Sequence, residues 1–260
     1  MIAAALTAAQ FHPPTTKDFV FGCYFSVAGL CVNFIVALVA ASVLIYVLLF
    51  FFAFRRPRAV PGRLQSLMEL AVDFVREQVA LPMLGPTADR FLPLLATFFF
   101  FILIMNLFEV GPWVNFAATS RVAIPLGLAI VSCITYNAVG IAKHGFFGYF
   151  KFTCYIPAAP WWIQPLMIPI EFISNIVIRP ITLTIRLAAN FVAGHFLLAL
   201  AFLGTEFFLL DGPKTWGLLA VSIPMSIILV AFEVFVALLQ AFIFTILSAS
   251  YIGGALAEEH

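Results

Sequence analysis

Apolar residues in this chain gather into long runs separated by short polar patches, and the length of each run predicts the element it forms. The segment CVNFIVALVAASVLIYVLLFFFAF, residues 31–54, carries no charge over its 24 residues. A helix of about 20 apolar residues suffices to span a hydrocarbon core. A second crossing is predicted over 91–110, running from FLPLLATFFFFILIMNLF to the polar stop at Asn106, Glu109 and Gly111-Pro112. A third covers 122–142, with Thr135, Tyr136 and Asn137 as polar inclusions. Ahead of the second crossing, GRLQSLMELAVDFVREQVALPML alternates apolar and charged positions at helical spacing. Leu67, Leu70, Ala71 and Phe74 fall on one side, with Glu69, Asp73, Arg76 and Glu77 largely on the other. That pattern predicts an amphipathic helix over 63–83 lying at the membrane interface, the alternative being a solvated connector.

The last two runs, 160–205 and 214–256, each exceed 40 residues. Continuous helices of that length would measure roughly 60 Å, against a hydrocarbon core of about 30 Å. Usual helix tilts reach only roughly 40°. The two runs are therefore expected either to break or to form a hairpin lying steeply across the membrane. GTEFFLLDGPK joins them, with Asp211-Gly212-Pro213 as the breaker. The fold class expected is an all-α membrane protein in a single membrane domain. It has four to six membrane helices, including the tilted C-terminal hairpin, plus the interfacial helix.

Composition removes the soluble alternatives, since 64% of the 260 residues are hydrophobic and only 10% are charged. The formal net charge is +1 and no basic tract is present, which leaves no signal for a nucleic-acid partner. Cys23, Cys31, Cys133 and Cys154 show neither CxxC nor metal-ligand spacing, so no metal and no cofactor are expected. Charge also sets an orientation. Residues 55–90 hold six of the 13 basic residues, beginning with Arg55-Arg56-Pro57-Arg58. By the positive-inside rule this segment faces the cytoplasm, or the matrix of an organelle, and the N-terminus faces outward. Lys143 and Lys151 flank a short Gly- and Phe-rich loop on the same inner side. Five crossings then leave the C-terminus inside. Residues 1–30 read as a surface segment outside the membrane rather than a signal peptide, because no basic region precedes their apolar residues.

Candidate chemistry concentrates in EFISNIVIRPITLTIRLAANFVAGH, residues 171–195. A charge at membrane depth costs a few kcal/mol on insertion scales and ~10 or more in simulations of isolated helices. Arg186, with no acid within one helical turn, is accordingly the first functional candidate. Asn190, at i+4, is its surface neighbour. Arg179, at i−7, lies on nearly the same face about 10 Å along the axis; snorkelling to the inner boundary and a functional role both fit it. His195 falls on the face opposite Arg186. It is either a hydrogen-bonded core histidine or half of a proton relay with Glu233, the only charge between Thr215 and Ala257. An antiparallel hairpin brings those two to comparable depth. Gln240 lies at i+7 from Glu233, on the same face. Glu171, followed by Ser174 and Asn175, fits either an acid complementing a helix N-terminus or a group on a proton exit path.

Arg-Leu-x-x-Asn-x-x-Ala-Gly-His (186–195) resembles the signature helix of subunit a of F-type ATP synthases. MNLFEVGP (105–112) and LLQAFIFTILSASYI (238–252) resemble two further segments of that family in the same order. The resemblance implies a non-catalytic stator subunit of the Fo motor. Such a subunit would form two proton half-channels against the c-ring and couple proton flow to ring rotation and ATP synthesis. It would have the c-ring, the peripheral-stalk subunit b and other Fo subunits as partners. Arg186 would face the ring carboxylates and keep the half-channels apart, with Asn190 and Gln240 close to it. His195 and Glu233 would match the His/acid pair of the outer half-channel, and Asn106 and Glu109 its outer end. Glu171 resembles an acid near the inner half-channel, although its spacing to Pro180 is one residue longer than in many relatives. The location implied is a bacterial cell membrane, or alternatively a mitochondrial inner membrane.

Two other classes are weighed against this. A secondary transporter would usually show two related halves, and no internal repeat is visible. A quinone or haem enzyme would need histidines facing one another across helices, a pattern that His12, His144 and His195 do not offer.

Overall fold

The computed structural model describes residues 25–27, 30–32, 34–55, 62–110, 123–154, 162–210 and 216–257. Residues 1–24 lie outside the described residues, as do Arg56-Pro57-Arg58, Gly111-Pro112, Lys151's side chain and Asp211-Gly212-Pro213. The described β structure is one short antiparallel hairpin, β1 (Phe25–Val27) with β2 (Leu30–Val32), in which Ser26 pairs with Cys31. Cys31 and Val32 are thus strand residues, and the first apolar run becomes α1 only from Phe34, ending at Phe54.

The segment expected to be interfacial is a bent helical run. It comprises α2 (Arg63–Val75), a π-helical turn (Arg76–Ala80), α3 (Leu81–Leu84) and a 3-10 turn (Gly85–Thr87), and leads into α4 (Ala88–Val110). Gly85, at φ 53°, allows the bend after α3. Arg76 then clamps the π turn to the start of α4, donating Nε to Asp89 Oδ1 at 2.8 Å and Nη2 to Oδ2 at 3.2 Å. This fork-to-carboxylate geometry fixes orientation as well as distance. The buried stripe of α2 is Gln65, Met68 and Val75, whereas Leu67 and Leu70 are 62% and 72% exposed. The helix has two apolar sides, and periodicity alone identifies the one turned away from the protein. That outward side suits a lipid surface.

α5 (Ala123–His144) ends at Gly145, whose φ of 74° lies in the left-handed region that ends helices. Its N–H bonds the Ile141 carbonyl, and its own carbonyl accepts the Tyr149 N–H, each at 2.9 Å. The chain so reversed forms α6 (Phe146–Cys154), a helix where the sequence suggested only a loop. Gly140 makes room for it, because the Tyr149 ring lies where a Cβ would be.

α7 (Gln164–Ile173), a π turn (Ser174–Ile178) and α8 (Arg179–Leu210) form one helical run of 47 residues. The π turn follows from Pro180, which has no N–H to donate and whose ring pushes the preceding turn outward. α8 continues past residue 205 into the stretch read as a connection. Gly204 costs a helix only about 1 kcal/mol, so no strong breaker occurs before the Asp-Gly-Pro sequence. α9 (Trp216–Leu256) is 41 residues long, roughly 60 Å as a helix, which cannot stand upright in a core of about 30 Å.

α9 is the element around which the others pack, lying against α8, α4 and α5. Phe98 of α4 meets Phe244 edge-on at 5.5 Å between centroids, and Ser132 of α5 donates to Ser248 at 3.0 Å. Near its end, the Met83 carbonyl comes so close to Gly253 that no Cβ would fit. Lys143 donates to the Leu256 carbonyl at 2.6 Å, satisfying one of the helix's terminal acceptors. α8 and α9 are antiparallel: Thr205 meets Ser222, and eleven residues deeper on each helix Gly194 meets Glu233. With five helical runs among the described residues long and apolar enough to cross a bilayer, the chain is an all-α, multi-pass membrane protein.

Candidate functional site

The α8–α9 hairpin carries the ionisable groups of the apolar region, and its register decides which of them meet. Continuing the Gly194–Glu233 register toward the α9 C-terminus brings Arg186 level with Gln240 and Ala241. Glu233 is 5% exposed and Gln240 6% exposed, each turned into the chain. Arg186 instead projects from the exposed side of α8, between exposed Ile185 and Ala189, with Asn190 half-buried beside it. Among the described residues Arg186 makes no ion pair and no hydrogen bond, including none to Gln240. An unpaired guanidinium therefore stands on an apolar surface.

His195 is half-buried and stacks on Phe191 one turn earlier, at 5.7 Å between centroids and 20° between planes. Glu233 reaches the backbone right beside it. A Cβ on Gly194 would lie 2.5 Å from Glu233 Oε2 and 2.9 Å from Oε1. Gly194, the residue before His195 in the chain, thus leaves the space that the carboxylate fills. Farther toward the α8–α9 connection, Thr205 contacts Ser222 at 2.5 Å and Ser226 at 3.2 Å, hydroxyl to hydroxyl. Ser226 is two helical turns from Glu233 on the same face of α9. A cleft of about 240 Å³ opens there between the helices, edged by Ser222 and Ser226. Sequence reading passed over these hydroxyls, although Ser222 and Ser226 stand at i, i+4 in an otherwise apolar stretch.

At the opposite end of the hairpin a second polar group gathers around the π turn. Arg179 donates Nη1–H to Asn175 Oδ1 at 2.6 Å, and its guanidinium lies 5.1 Å over the Tyr251 ring. Asn175, 3% exposed, donates Nδ2–H to the Tyr149 hydroxyl at 3.2 Å. Tyr149 donates in turn to Asn137 Oδ1 at 3.0 Å, and Asn137 donates to the Cys133 carbonyl at 2.8 Å. The π turn explains one more bond. The Arg179 N–H goes to the Ser174 carbonyl, and Pro180 has no proton to offer, so the Asn175 carbonyl accepts the Tyr136 hydroxyl instead. Arg179 therefore turns toward Asn175 and Tyr251. Tyr149 and Tyr251 gave no signal in the sequence, since only the reversal at Gly145 and the packing of α9 against its neighbours bring them here.

The remaining candidates stand apart. Glu171 is half-buried two turns into α7, because the helix starts at Gln164. It is therefore not a first-turn acid complementing a helix dipole. Asn106 is buried in the last two turns of α4, and the side chain of Glu109 lies outside the described residues.

Residues 34–253 match the family model described as ATP synthase A chain. The chain belongs to the ATP synthase A chain family. It is 43% identical over 225 residues to ATP synthase subunit a of a Nocardioides species, covering 86% of this chain and 81% of the relative. It is 39% identical to ATP synthase subunit a of Rhodococcus erythropolis over 98% of this chain and 94% of the relative. The corresponding Frankia alni protein is 39% identical over 96% and 88%. Members of the ATP synthase A chain family are stationary, proton-translocating components of the membrane sector of ATP synthase, and the chain is such a subunit.

Proposed function

We propose that the chain forms two proton half-channels against a rotating ring of carboxylate-bearing helices, contributing no catalytic group for ATP chemistry itself. The observation that carries this reading is the unpaired Arg186 on an exposed apolar face. A cation there is tolerable only if another subunit supplies the counter-charge. A passing ring carboxylate does so when ionised. The fixed charge also opposes a proton moving straight between the half-channels.

In this arrangement His195 and Glu233 relay protons in the outer half-channel, entered by way of Asn106 and Glu109. Asn190 and Gln240 lie near Arg186, while Glu171, Asn175 and Arg179 belong to the inner side. Subunit b and the other Fo subunits cover remaining apolar faces. A photoreactive side chain at Ile185 or Ala189, the exposed neighbours of Arg186, is expected to crosslink to the ring subunit in assembled complex. Crosslinks to other subunits or lipid alone would refute the assignment of this face.

Orientation follows from the basic residues between α1 and α4. With a cysteine at Arg58, an impermeant reagent is expected to react only from the cytoplasmic side, and with one at Asp211 only from the opposite side. Labelling of both from the same side would overturn the five-crossing arrangement.

A further inference from the structure

Arg179 is held in place by side chains drawn from four separate elements. Asn175 of the π turn takes its Nη1–H, Tyr251 of α9 lies under its plane, and Tyr149 of α6 and Asn137 of α5 fix the Asn175 amide. The phenols of Tyr136, Tyr149 and Tyr251 are the titratable groups that face it from α5, α6 and α9, and Thr153 and the two amides are neutral. Lys143 at the end of α5 is turned to the Leu256 carbonyl, Glu171 lies two turns back on α7, and Arg186 lies two turns on. Among the described residues no carboxylate pairs with Arg179.

Beside the guanidinium lies a cavity of about 180 Å³, lined by Tyr149, Asn175, Arg179 and Tyr251 and reaching Gly254 near the end of α9. At about 30 Å³ per molecule that volume holds several waters, and its lining offers them partners. A planar cation fixed by neutral hydrogen-bonding groups keeps its whole charge for whatever enters or passes the cavity. Snorkelling would need none of this construction.

Resting on the half-channel reading above, we propose that Arg179 is a second fixed cation that promotes proton release from the ring carboxyl into this cavity. The proton passes from the carboxyl group to cavity water and the carboxylate remains behind, stabilised by the positive charge. Arg179 is a positioning residue for that step, since it acts through the field at the ring carboxylate and not by carrying the proton. Its place about 10 Å from Arg186 along the helix puts it one step inward of the barrier.

The sign of the effect is fixed. Removing the cation raises the pKa of the ring carboxyl, so release requires a higher inner pH. The test is synthesis-direction proton flux through reconstituted whole complex, measured as a function of inner pH. With Arg179→Gln the inner-pH midpoint is expected to move upward by about half a unit or more, as for one charge at roughly 10 Å between protein-like and aqueous screening. Arg179→Lys, which keeps the charge, is expected to stay close to the parent midpoint. Asn175→Asp provides an independent route, since it keeps the shape of the amide, adds a compensating carboxylate against Arg179 and is expected to shift the midpoint the same way. It carries the test if Arg179→Gln fails to assemble. Unchanged midpoints in the variants that assemble, whether or not total flux falls, would overturn the proposal and reduce Arg179 to a packing role. Were Arg186→Ala still to couple normally, the half-channel reading itself would fall instead.

Discussion

Replacing Arg186 by alanine is expected to abolish ATP synthesis driven by a proton gradient while leaving the complex assembled. Arg186 lies on an exposed face and makes no hydrogen bond or ion pair among the described residues, so its loss leaves no internal partner behind. The expected loss arises at the ring. An ionised carboxylate entering apolar surroundings without a counter-charge faces a desolvation penalty of several kcal/mol. Each 1.4 kcal/mol of barrier is about tenfold in rate, so turnover falls below detection. Arg186→Lys is expected to fail or nearly fail as well, although it keeps the charge. An ammonium is a compact, strongly hydrated point charge without the planar fork that engages a carboxylate along two bonds. The check is ATP synthesis under an imposed gradient, alongside subunit composition of the purified complex. Synthesis at the parent rate by either assembled variant would refute the role given to Arg186.

The second large effect is expected at Glu233 and His195. Leucine at either position is expected to slow proton flux through reconstituted complex by about a hundredfold, the lower end for a positioned proton-transfer group. Neither change is expected to make the membrane leaky, because Arg186 is untouched. Exchanging the two residues is expected to restore part of the rate, since an acid and an imidazole are again present at that depth. Gly194→Ala tests the same pair without removing either group. The added methyl meets the far end of a flexible side chain, so the fold can adjust, but the Glu233 carboxylate has to leave its place against Gly194. Flux is expected to fall several-fold with assembly intact. Parent-like flux and pH profile in both leucine variants would reduce the pair to core residues.

The sequence showed most where chemistry conflicts with its surroundings. An apolar run of 24 residues has one inexpensive solution in a bilayer, so α1 was legible but for its first turn, where β2 takes up Cys31 and Val32. Arg186, Glu233 and His195 stood out because charge within apolar sequence is costly. Harder to see was anything decided by contact between distant segments. α6 depends on a left-handed glycine and on the space that Gly140 leaves for Tyr149, neither of which alters hydrophobic periodicity. The π turn depends on Pro180, and its consequence, a backbone carbonyl handed to Tyr136, appears only once α5 lies alongside. Likewise Leu67 and Leu70 are apolar for the outside of α2, while Met68 and Val75 face the protein. A helical period reports that an apolar side exists but not what it meets.

The claim at the centre of all this is that Arg186 supplies the counter-charge without which ring movement and proton movement are not coupled. Its most direct test is ATP-driven acidification of sealed vesicles containing assembled Arg186→Ala complex, followed with a pH-sensitive dye beside the parent complex. The expected result is no acidification although the complex is present in parent amounts. Acidification at the parent rate would contradict the claim.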